Sequence, residues 1–241
     1  LDQGAQDIWI ESVAGGPRAR LTFGPFVNIY PTWSPDLTSI AFFTFAGDGP
    51  LIARQPSRGG AQQLLARAGT PNWGRLYPTS WSPDGRQLVC TAIHSVAALD
   101  VARGTFRTLA ADPRAWFSSA ALSPDGKWVS YLSGDPGQTG NVFVIPFQGT
   151  NGVRWQATTT GVVNQFWVNG GRELDVVDGD GRLLAIPVNV TDAAPMFDAP
   201  HVLAINFPPV QAATPDGQRF LATLWPNDHQ HLMVVSNWRQ H

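Results

Sequence analysis

The sequence has 241 residues, of which 43% are hydrophobic and 14% charged, and its formal net charge is −2. Such apolar content with little net charge argues against disorder, and a balance of 16 basic to 18 acidic residues argues against a nucleic-acid partner. The sequence contains no run of about 18 apolar residues, which excludes a membrane-spanning helix within it. The single Cys90 excludes an internal disulfide and a cysteine-ligated zinc site.

A repeat built on a Pro-Asp-Gly turn runs along the chain and is the dominant signal in it. Its copies lie at 33–36, 81–86, 122–127, 167–172 and 213–218. Their fourth positions, 36, 84, 125, 170 and 216, are 48, 41, 45 and 46 residues apart. Proline fixes φ, aspartate bonds the backbone that follows it, and glycine allows a positive φ, so each copy predicts a tight turn. The fourth copy has decayed to Asn169-Gly170.

Short apolar segments around each turn predict β-strands. Second strands are predicted at 40–43, 88–90, 128–132, 174–177 and 220–224. A third strand is predicted in each unit, for example at 7–10, 141–145, 183–188 and 232–236, and weaker fourth strands are predicted, for example, at 20–23, 106–109 and 154–157. Segment 61–67 has helical propensity, but its place in the repeat predicts a fourth strand. Four antiparallel strands per repeat predict an all-β fold, a β-propeller of four-stranded antiparallel blades.

The repeat pattern predicts one propeller domain over residues 1–241. It consists of an N-terminal half-blade at 1–29 and five repeats at about 30–76, 77–117, 118–162, 163–207 and 208–241. The third strand occurs six times and the first hairpin five times. We therefore expect either a ring of about six blades, closed by the N-terminal segment, or the C-terminal part of a larger propeller. The start at Leu1, partway into a repeat, favours truncation.

The Trp-Ser-Pro-Asp-Gly hairpin with its following strand resembles the WD-like repeat of TolB-type β-propellers along almost the whole chain. Residues 167–188 and 214–238 are similar to the end of the propeller appended to bacterial receptor-type serine/threonine protein kinases. In that family a cytoplasmic kinase domain precedes a membrane span and an exported propeller. The resemblance implies an extracytoplasmic sensor or interaction domain of a larger bacterial protein. The TolB resemblance implies a periplasmic assembly partner.

The sequence lacks the catalytic motifs of kinases and of serine hydrolases, namely a kinase glycine-rich loop, His-Arg-Asp, Asp-Phe-Gly and Gly-x-Ser-x-Gly. We therefore predict that this chain is not an enzyme and that it carries no metal and no cofactor. One alternative is a metal-dependent lactonase or lyase, for which Asn28, Asn164 and His94 are the available polar residues. Another is a propeller that gates a prolyl-oligopeptidase-type peptidase. His229 and His231 alternate in sequence but lack a third metal ligand.

The tryptophans fall into two predicted groups. Trp33, Trp81 and Trp167 share one repeat position and are predicted to pack between blades, while Trp9 and Trp128 lie within strands and are predicted to be in the core. The remaining aromatic and basic candidates lie in or near the connections between blades. These candidate ligand-binding residues are Trp73, Arg75, Tyr77, Arg114, Trp116, Asn28 and Tyr30.

Connections between blades line one face around the channel of a propeller, and exposed Trp, Tyr and Arg side chains are typical of binding hot spots. We therefore predict a binding face for a protein, a peptide or a cell-envelope ligand. A carboxylate or a glycan would also suit these side chains. The alternative is that the same aromatic residues pack between neighbouring blades.

Overall fold

The structure is a computed structural model that describes residues 6–12, 16–46, 49–70, 74–149, 152–190, 194–224 and 231–236. Within these ranges there is no α-helix, and one short 3-10 turn spans Asn169–Gly171. The strands are β1 Trp9–Ile10, β2 Ala19–Arg20, β3 Val27–Trp33, β4 Ser39–Ala46, β5 Gly49–Pro56, β6 Gln63–Arg67, β7 Gly69–Thr70, β8 Gly74–Arg75, β9 Tyr77–Trp81, β10 Gln87–Ala92, β11 Ser95–Asp100, β12 Thr105–Ala111, β13 Trp116–Leu122, β14 Trp128–Gly134, β15 Asn141–Pro146, β16 Trp155–Gln156, β17 Val162–Val168, β18 Glu173–Asp178, β19 Leu183–Val190, β20 Pro195–Phe197, β21 His201–Ala204, β22 Val210–Ala213, β23 Arg219–Leu224 and β24 His231–Ser236.

Four-stranded antiparallel sheets are the repeated element of the fold. They contain β3–β6, β9–β12, β13–β16, and β17 to β19 with β21, and β20 pairs with the end of β19. The strands β22 to β24 form a three-stranded sheet, and β1 with β2 and β7 with β8 form two-stranded sheets. Consecutive strands pair in chain order within each blade, except that β21 pairs with β19. The predicted all-β propeller with four-stranded antiparallel blades is confirmed.

The chain divides into two compact units, Leu1–Ala120 and Ala121–His241. In the first unit, one core cluster joins Phe43 of β4 to Leu88 of β10, so that it spans two neighbouring blades. In the second unit, the core includes Phe220 of β23. Burial of these apolar faces supplies the main driving force for packing blade on blade.

Each turn that contains a Pro-Asp pair is closed by its own aspartate. The Asp84 carboxylate accepts hydrogen bonds from the Ser82 hydroxyl at 2.6 Å and from the Arg86 backbone N–H at 3.0 Å. The Ser82 hydroxyl oxygen also accepts from the Gln87 backbone N–H at 2.9 Å. The same pattern recurs at Asp36, Asp125 and Asp216. The prediction that these carboxylates close turns is therefore confirmed.

These turn hydrogen bonds predict a loss of stability in acid. The hydroxyl of Ser82, followed by the backbone N–H of Arg86, lowers the pKa of the Asp84 carboxyl below its usual value. A carboxyl group whose pKa is lower in the folded than in the unfolded protein stabilises the fold at pH values above its unfolded pKa of about 3.9. This stabilisation is lost as the pH falls through the pKa of the folded state. We expect the difference in urea midpoint between wild type and Asp84→Asn to be largest near neutral pH and to vanish in acid. A difference that stays constant from neutral pH into acid would contradict this linkage.

The decayed fourth turn has a packing role that explains its sequence. Asn169, Gly170 and Gly171 have φ angles of 51°, 67° and 87°, all in the left-handed region. The Asn169 backbone N–H donates to the Pro215 carbonyl at 2.8 Å, and a Cβ on Gly171 would lie 3.4 Å from Pro124 Cδ. Proline at position 169 could neither donate this hydrogen bond nor adopt the positive φ. The fourth turn thus lacks the Pro-Asp pair, and it contacts two other turns of the second unit.

Tryptophan at the repeat position links neighbouring blades within each unit. Trp81 Nε1 donates to the Thr32 carbonyl at 3.3 Å, and Trp167 Nε1 donates to the Ala121 carbonyl at 3.3 Å. Both acceptors occupy the same place in the first strand of the preceding sheet. Both indole rings are buried, which confirms the predicted packing between blades.

Two of the tryptophan predictions are wrong. Trp33 is 44% exposed and Trp9 is 54% exposed, whereas Trp128 is buried as expected. On β1, Ile10 packs against the core, and strand alternation therefore turns its neighbour Trp9 to the opposite face. Trp81 donates its indole N–H to the Thr32 carbonyl, whereas no carbonyl among the described residues accepts a hydrogen bond from Trp33. Trp33 therefore lacks the contact that helps to bury Trp81.

Candidate functional site

A pair of tyrosine rings stands at the edge of the core in the first unit. The centroids of Tyr30 and Tyr77 are 4.4 Å apart and their planes are inclined at 47°. Tyr77 also contacts Phe43, with a centroid distance of 4.8 Å. Phe43 is buried, Tyr77 is half-buried and Tyr30 is 53% exposed. The three rings form a row that leads from the core to the surface.

The backbone at Tyr30 explains how this ring reaches the surface. The pairing of β3 with β4 shifts register between Ile29 and Thr32, and Tyr30 has a φ of 55°. A non-glycine residue in this region stores about 1–3 kcal/mol of strain, and bulges re-aim side chains next to binding sites. The first strands β9, β17 and β22 also have register shifts. The bulge therefore belongs to the repeat, and the exposed tyrosine is particular to β3.

An arginine continues the row of rings along β4. The Arg75 guanidinium carbon lies 5.3 Å from the centroid of the Phe45 ring, in cation–π geometry. Phe43 and Phe45 are two residues apart on β4, so their side chains lie on the same face. Arg75 is exposed and Phe45 is 42% exposed. We define the aromatic surface as Tyr30, Phe43, Phe45, Arg75 and Tyr77.

The connection that carries Arg114 and Trp116 is held in place by hydrogen bonds to a neighbouring turn. The Asp112 backbone N–H donates to the His94 carbonyl at 3.1 Å, and the Ala115 carbonyl lies 2.7 Å from His94 Nδ1. The Asp112 carboxylate accepts from the Arg114 backbone N–H at 2.9 Å. Arg114 is exposed and Trp116 is half-buried.

Other sequence candidates have structural partners or lie elsewhere. Asn28 is only 3% exposed, and its amide nitrogen donates to the carbonyls of Gln6 at 3.2 Å and Phe26 at 3.4 Å. Asn28 thus belongs to the frame beneath the aromatic surface. The Asn164 amide donates to a backbone carbonyl of β22. Trp73 and His229 lie outside the described residues.

The structure also adds residues that the sequence reasoning missed. Phe43 and Phe45 belong to the aromatic surface through their contacts with Tyr77 and Arg75. The alternation of the Phe-Phe-Thr-Phe segment at 42–45 was the available signal, because it places Phe43 and Phe45 on one side of a strand. Which other side chains meet that side depends on the neighbouring blade.

No metal site is evident in the described part of the chain, where no three His, Cys, Asp or Glu side chains come together. Cys90 is buried, and burial raises the pKa of its thiol far above the usual value, so it stays a protonated core residue. No helix in the described ranges is long and apolar enough to cross a membrane.

A separate groove of about 440 Å³ lies between the first two Pro-Asp turns. It is lined by Asp36, Asp84, Arg54 and Trp81, among others. Its two carboxylates accept hydrogen bonds within their own turns, and the Arg54 guanidinium donates to the Gln63 side chain at 2.6 Å. These polar groups of the groove are thus engaged in hydrogen bonds within their own turns and sheet.

Comparison with known proteins supports the fold. No family model matches the sequence. Uncharacterized peptidase YuxL of Bacillus subtilis (strain 168) is 28% identical over 128 residues, which are 53% of this chain and 18% of YuxL. The structure of TolB from Acinetobacter baumannii matches with a TM-score of 0.72 and 18% identity, over 96% of this chain and 57% of TolB. Oligogalacturonate lyase from Vibrio parahaemolyticus matches with a TM-score of 0.65 and 13% identity, over 97% of this chain and 69% of the lyase.

These likenesses establish the propeller fold and correct one prediction. The prediction that this chain is not an enzyme is contradicted, because the similar proteins include a lyase and a relative named as a peptidase. The motifs that the sequence lacks are those of kinases and serine hydrolases alone. The structural match to TolB agrees with the predicted TolB-type propeller fold. The resemblance to the propeller appended to receptor kinases stays a prediction.

Proposed function

We propose that this chain is a ligand-binding β-propeller and that its aromatic surface holds a segment of a protein or peptide. The observation that carries the proposal is the ring pair of Tyr30 and Tyr77, with centroids 4.4 Å apart and Tyr30 53% exposed. Aromatic side chains supply large contact areas at low entropic cost, and Tyr and Arg are enriched at binding hot spots. A ring that stands on a strand and packs against a second ring is preorganised for such a role.

The alternative that these aromatics only pack between blades accounts for part of the site. Phe43 and Tyr77 do pack against the core cluster shared by two blades. Tyr30, Phe45 and Arg75 keep large exposed fractions, so packing leaves a contiguous row of rings and a cation open to solvent. That exposed remainder supports a binding role.

We further propose an extracytoplasmic location, as the interaction domain of a larger bacterial protein. The resemblance to the receptor-kinase propeller and to TolB supports this location. The chain spans 18% of YuxL and 57% of TolB, which fits a domain that works with further parts. A sensor attached to a receptor kinase and a TolB-like assembly partner would both use a peptide-binding surface.

A second candidate role is to admit peptides to a peptidase. The identity to YuxL over 128 residues favours it, because that relative is named a peptidase. In this role the aromatic surface would contact the passing substrate, so the expected ligand is again an extended peptide. Both roles therefore lead to the same binding experiment.

Peptides can be selected from a random display library for binding to the full chain. We expect their affinity to depend on Tyr30 and Tyr77. We expect Tyr30→Ala and Tyr77→Ala each to weaken the selected peptides by about tenfold or more, since truncating a hot-spot aromatic costs about 1.4 kcal/mol or more. Trp9→Ala is the matched control, because Trp9 is an exposed aromatic of the same unit outside the aromatic surface. Isothermal titration measures the affinities. Equal affinities for wild type and both tyrosine variants would refute the proposed surface.

A further inference from the structure

The arginine of the aromatic surface differs from the arginines that form ion pairs with carboxylates of the chain. Arg20 pairs with Asp7, and Arg182 pairs with Asp178 at 2.7 Å. Across the described ranges, no carboxylate lies within ion-pair distance of Arg75, whose contact is the Phe45 ring. Stacking on a ring occupies the flat face of a guanidinium and leaves its edge N–H groups free for a planar acceptor. Arg75 is therefore set up to receive a carboxylate from outside the chain.

The neighbouring connection adds positive charge. Arg114 is exposed, and the described part of the chain offers its guanidinium no ion-pair partner. The nearby Asp112 carboxylate already accepts the Arg114 backbone N–H at 2.9 Å. Arg75 and Arg114 thus lie on two successive connections of the first unit, without an ion-pair partner among the described residues. Unpaired cations attract anionic ligands.

The spacing along β4 sets a second condition on the ligand. Tyr77 contacts Phe43, and Arg75 lies over Phe45. Residues two apart on a strand are separated by roughly 6.6 Å. Side chains at positions i and i+2 of an extended peptide have the same separation and point to the same side. An extended ligand could therefore place one side chain at the tyrosine pair and the next but one at Arg75.

The angle between the tyrosine rings favours a side chain as the first group. The two rings touch, with centroids 4.4 Å apart and planes inclined at 47°, so together they do not form the single flat face on which a sugar ring stacks best. An aromatic or proline side chain can pack against the exposed Tyr30 ring, and an aromatic ring gains further edge-to-face contact. We infer that the aromatic surface binds an extended peptide with a carboxylate two residues from an aromatic or proline ring, the carboxylate at Arg75 and the ring at Tyr30 and Tyr77. This inference rests on the proposed function.

Two matched peptides test the inference on the full chain. The probes are Gly-Ser-Glu-Gly-Trp-Gly-Ser and the same peptide with Gln in place of Glu, both blocked at their ends and measured by isothermal titration. We expect wild type to bind the Glu peptide about tenfold more tightly, with an advantage that shrinks at high salt. Arg75→Gln should remove the advantage, so that this variant binds the two peptides equally. Arg58→Gln, an exposed arginine of another turn, should keep the advantage.

The remaining outcomes separate the inference from the proposed function. Equal binding of the two peptides by wild type, no binding of either, or an advantage that survives Arg75→Gln overturns the inference. If Tyr30→Ala weakens the display-selected peptides while Arg75→Gln changes nothing, only the carboxylate assignment is lost. If Tyr30→Ala has no effect on those peptides, the proposed function itself is lost. The assignment to a peptide would also be overturned if the chain bound trigalacturonate and not the Glu peptide, and if that binding required Arg75.

Discussion

Replacing Gly161 with alanine is expected to destabilise the second compact unit by about 3 kcal/mol, because the added methyl group would overlap a neighbouring side chain. A Cβ at this position would lie 1.8 Å from Thr139 Oγ1 and 2.6 Å from Thr139 Cβ. Rotation of the threonine can move Oγ1 away, but its Cβ is fixed to the backbone. The Val162 backbone N–H donates to the Gly140 carbonyl at 2.7 Å, which holds the two loops together and prevents their separation.

The expected loss is measured as the midpoint of urea unfolding followed by circular dichroism. Thr139→Gly in the Gly161→Ala background removes both clashing atoms and should recover most of the stability. Gly149→Ala is the comparison, because no atom would lie within 4 Å of the added Cβ. Its φ of 73° means that alanine there still costs some backbone conformational energy, which we expect to be smaller than the loss at Gly161. A Gly161→Ala variant that unfolds at the wild-type urea concentration would show that these loops are not in contact.

Replacing Trp81 with alanine is the second change with a large expected effect, about 3–5 kcal/mol for a buried tryptophan. Trp81 is 8% exposed, belongs to the core cluster that joins two blades, and donates its indole N–H to the Thr32 carbonyl. The substitution would create a cavity between the blades and leave that carbonyl without its donor. Both consequences weaken the same contact, so the first unit should unfold at a lower urea concentration.

Trp33 provides the matched control because it occupies the same repeat position and is 44% exposed. Trp33→Ala should cost less than half as much as Trp81→Ala, and Trp81→Phe should fall between the two because it keeps the ring and removes the hydrogen bond. Circular dichroism gives the midpoints independently of the tryptophan count. Equal losses at positions 33 and 81 would contradict the blade-to-blade role of Trp81.

The fold was predictable because its signals are local and repeated. A Pro-Asp pair preceded by Ser or Thr specifies four of the five turns through hydrogen bonds within a few residues, as at Asp84. The spacing of the turns specifies the blades. Segment 61–67 shows the limit of propensity. Its composition favours a helix, yet Gln63–Arg67 forms β6, because the edge of β5 offers backbone partners from Leu51 to Arg54. The repeat contained that information, and residue propensity did not.

The candidate site was predictable only in part, because exposure and ring contacts depend on what lies beside each strand. Tyr30, Arg75 and Tyr77 were found from residue type and place in the connections. The burial of Asn28 follows from backbone carbonyls of Gln6 and Phe26, and the N-terminal segment that supplies one of them carries no sequence signal for this contact. The exposure of Trp9 likewise depends on which face of β1 meets the core.

Hydrogen–deuterium exchange of the full chain, with and without saturating Gly-Ser-Glu-Gly-Trp-Gly-Ser, tests the central claim most directly. Backbone amides covered by a bound peptide exchange more slowly, so the aromatic surface predicts slower exchange in residues 27–33 and 74–81. The groove between the turns at 34–39 and 82–86 should exchange as before. Slower exchange confined to that groove, or no change anywhere at saturation, would contradict a peptide-binding aromatic surface.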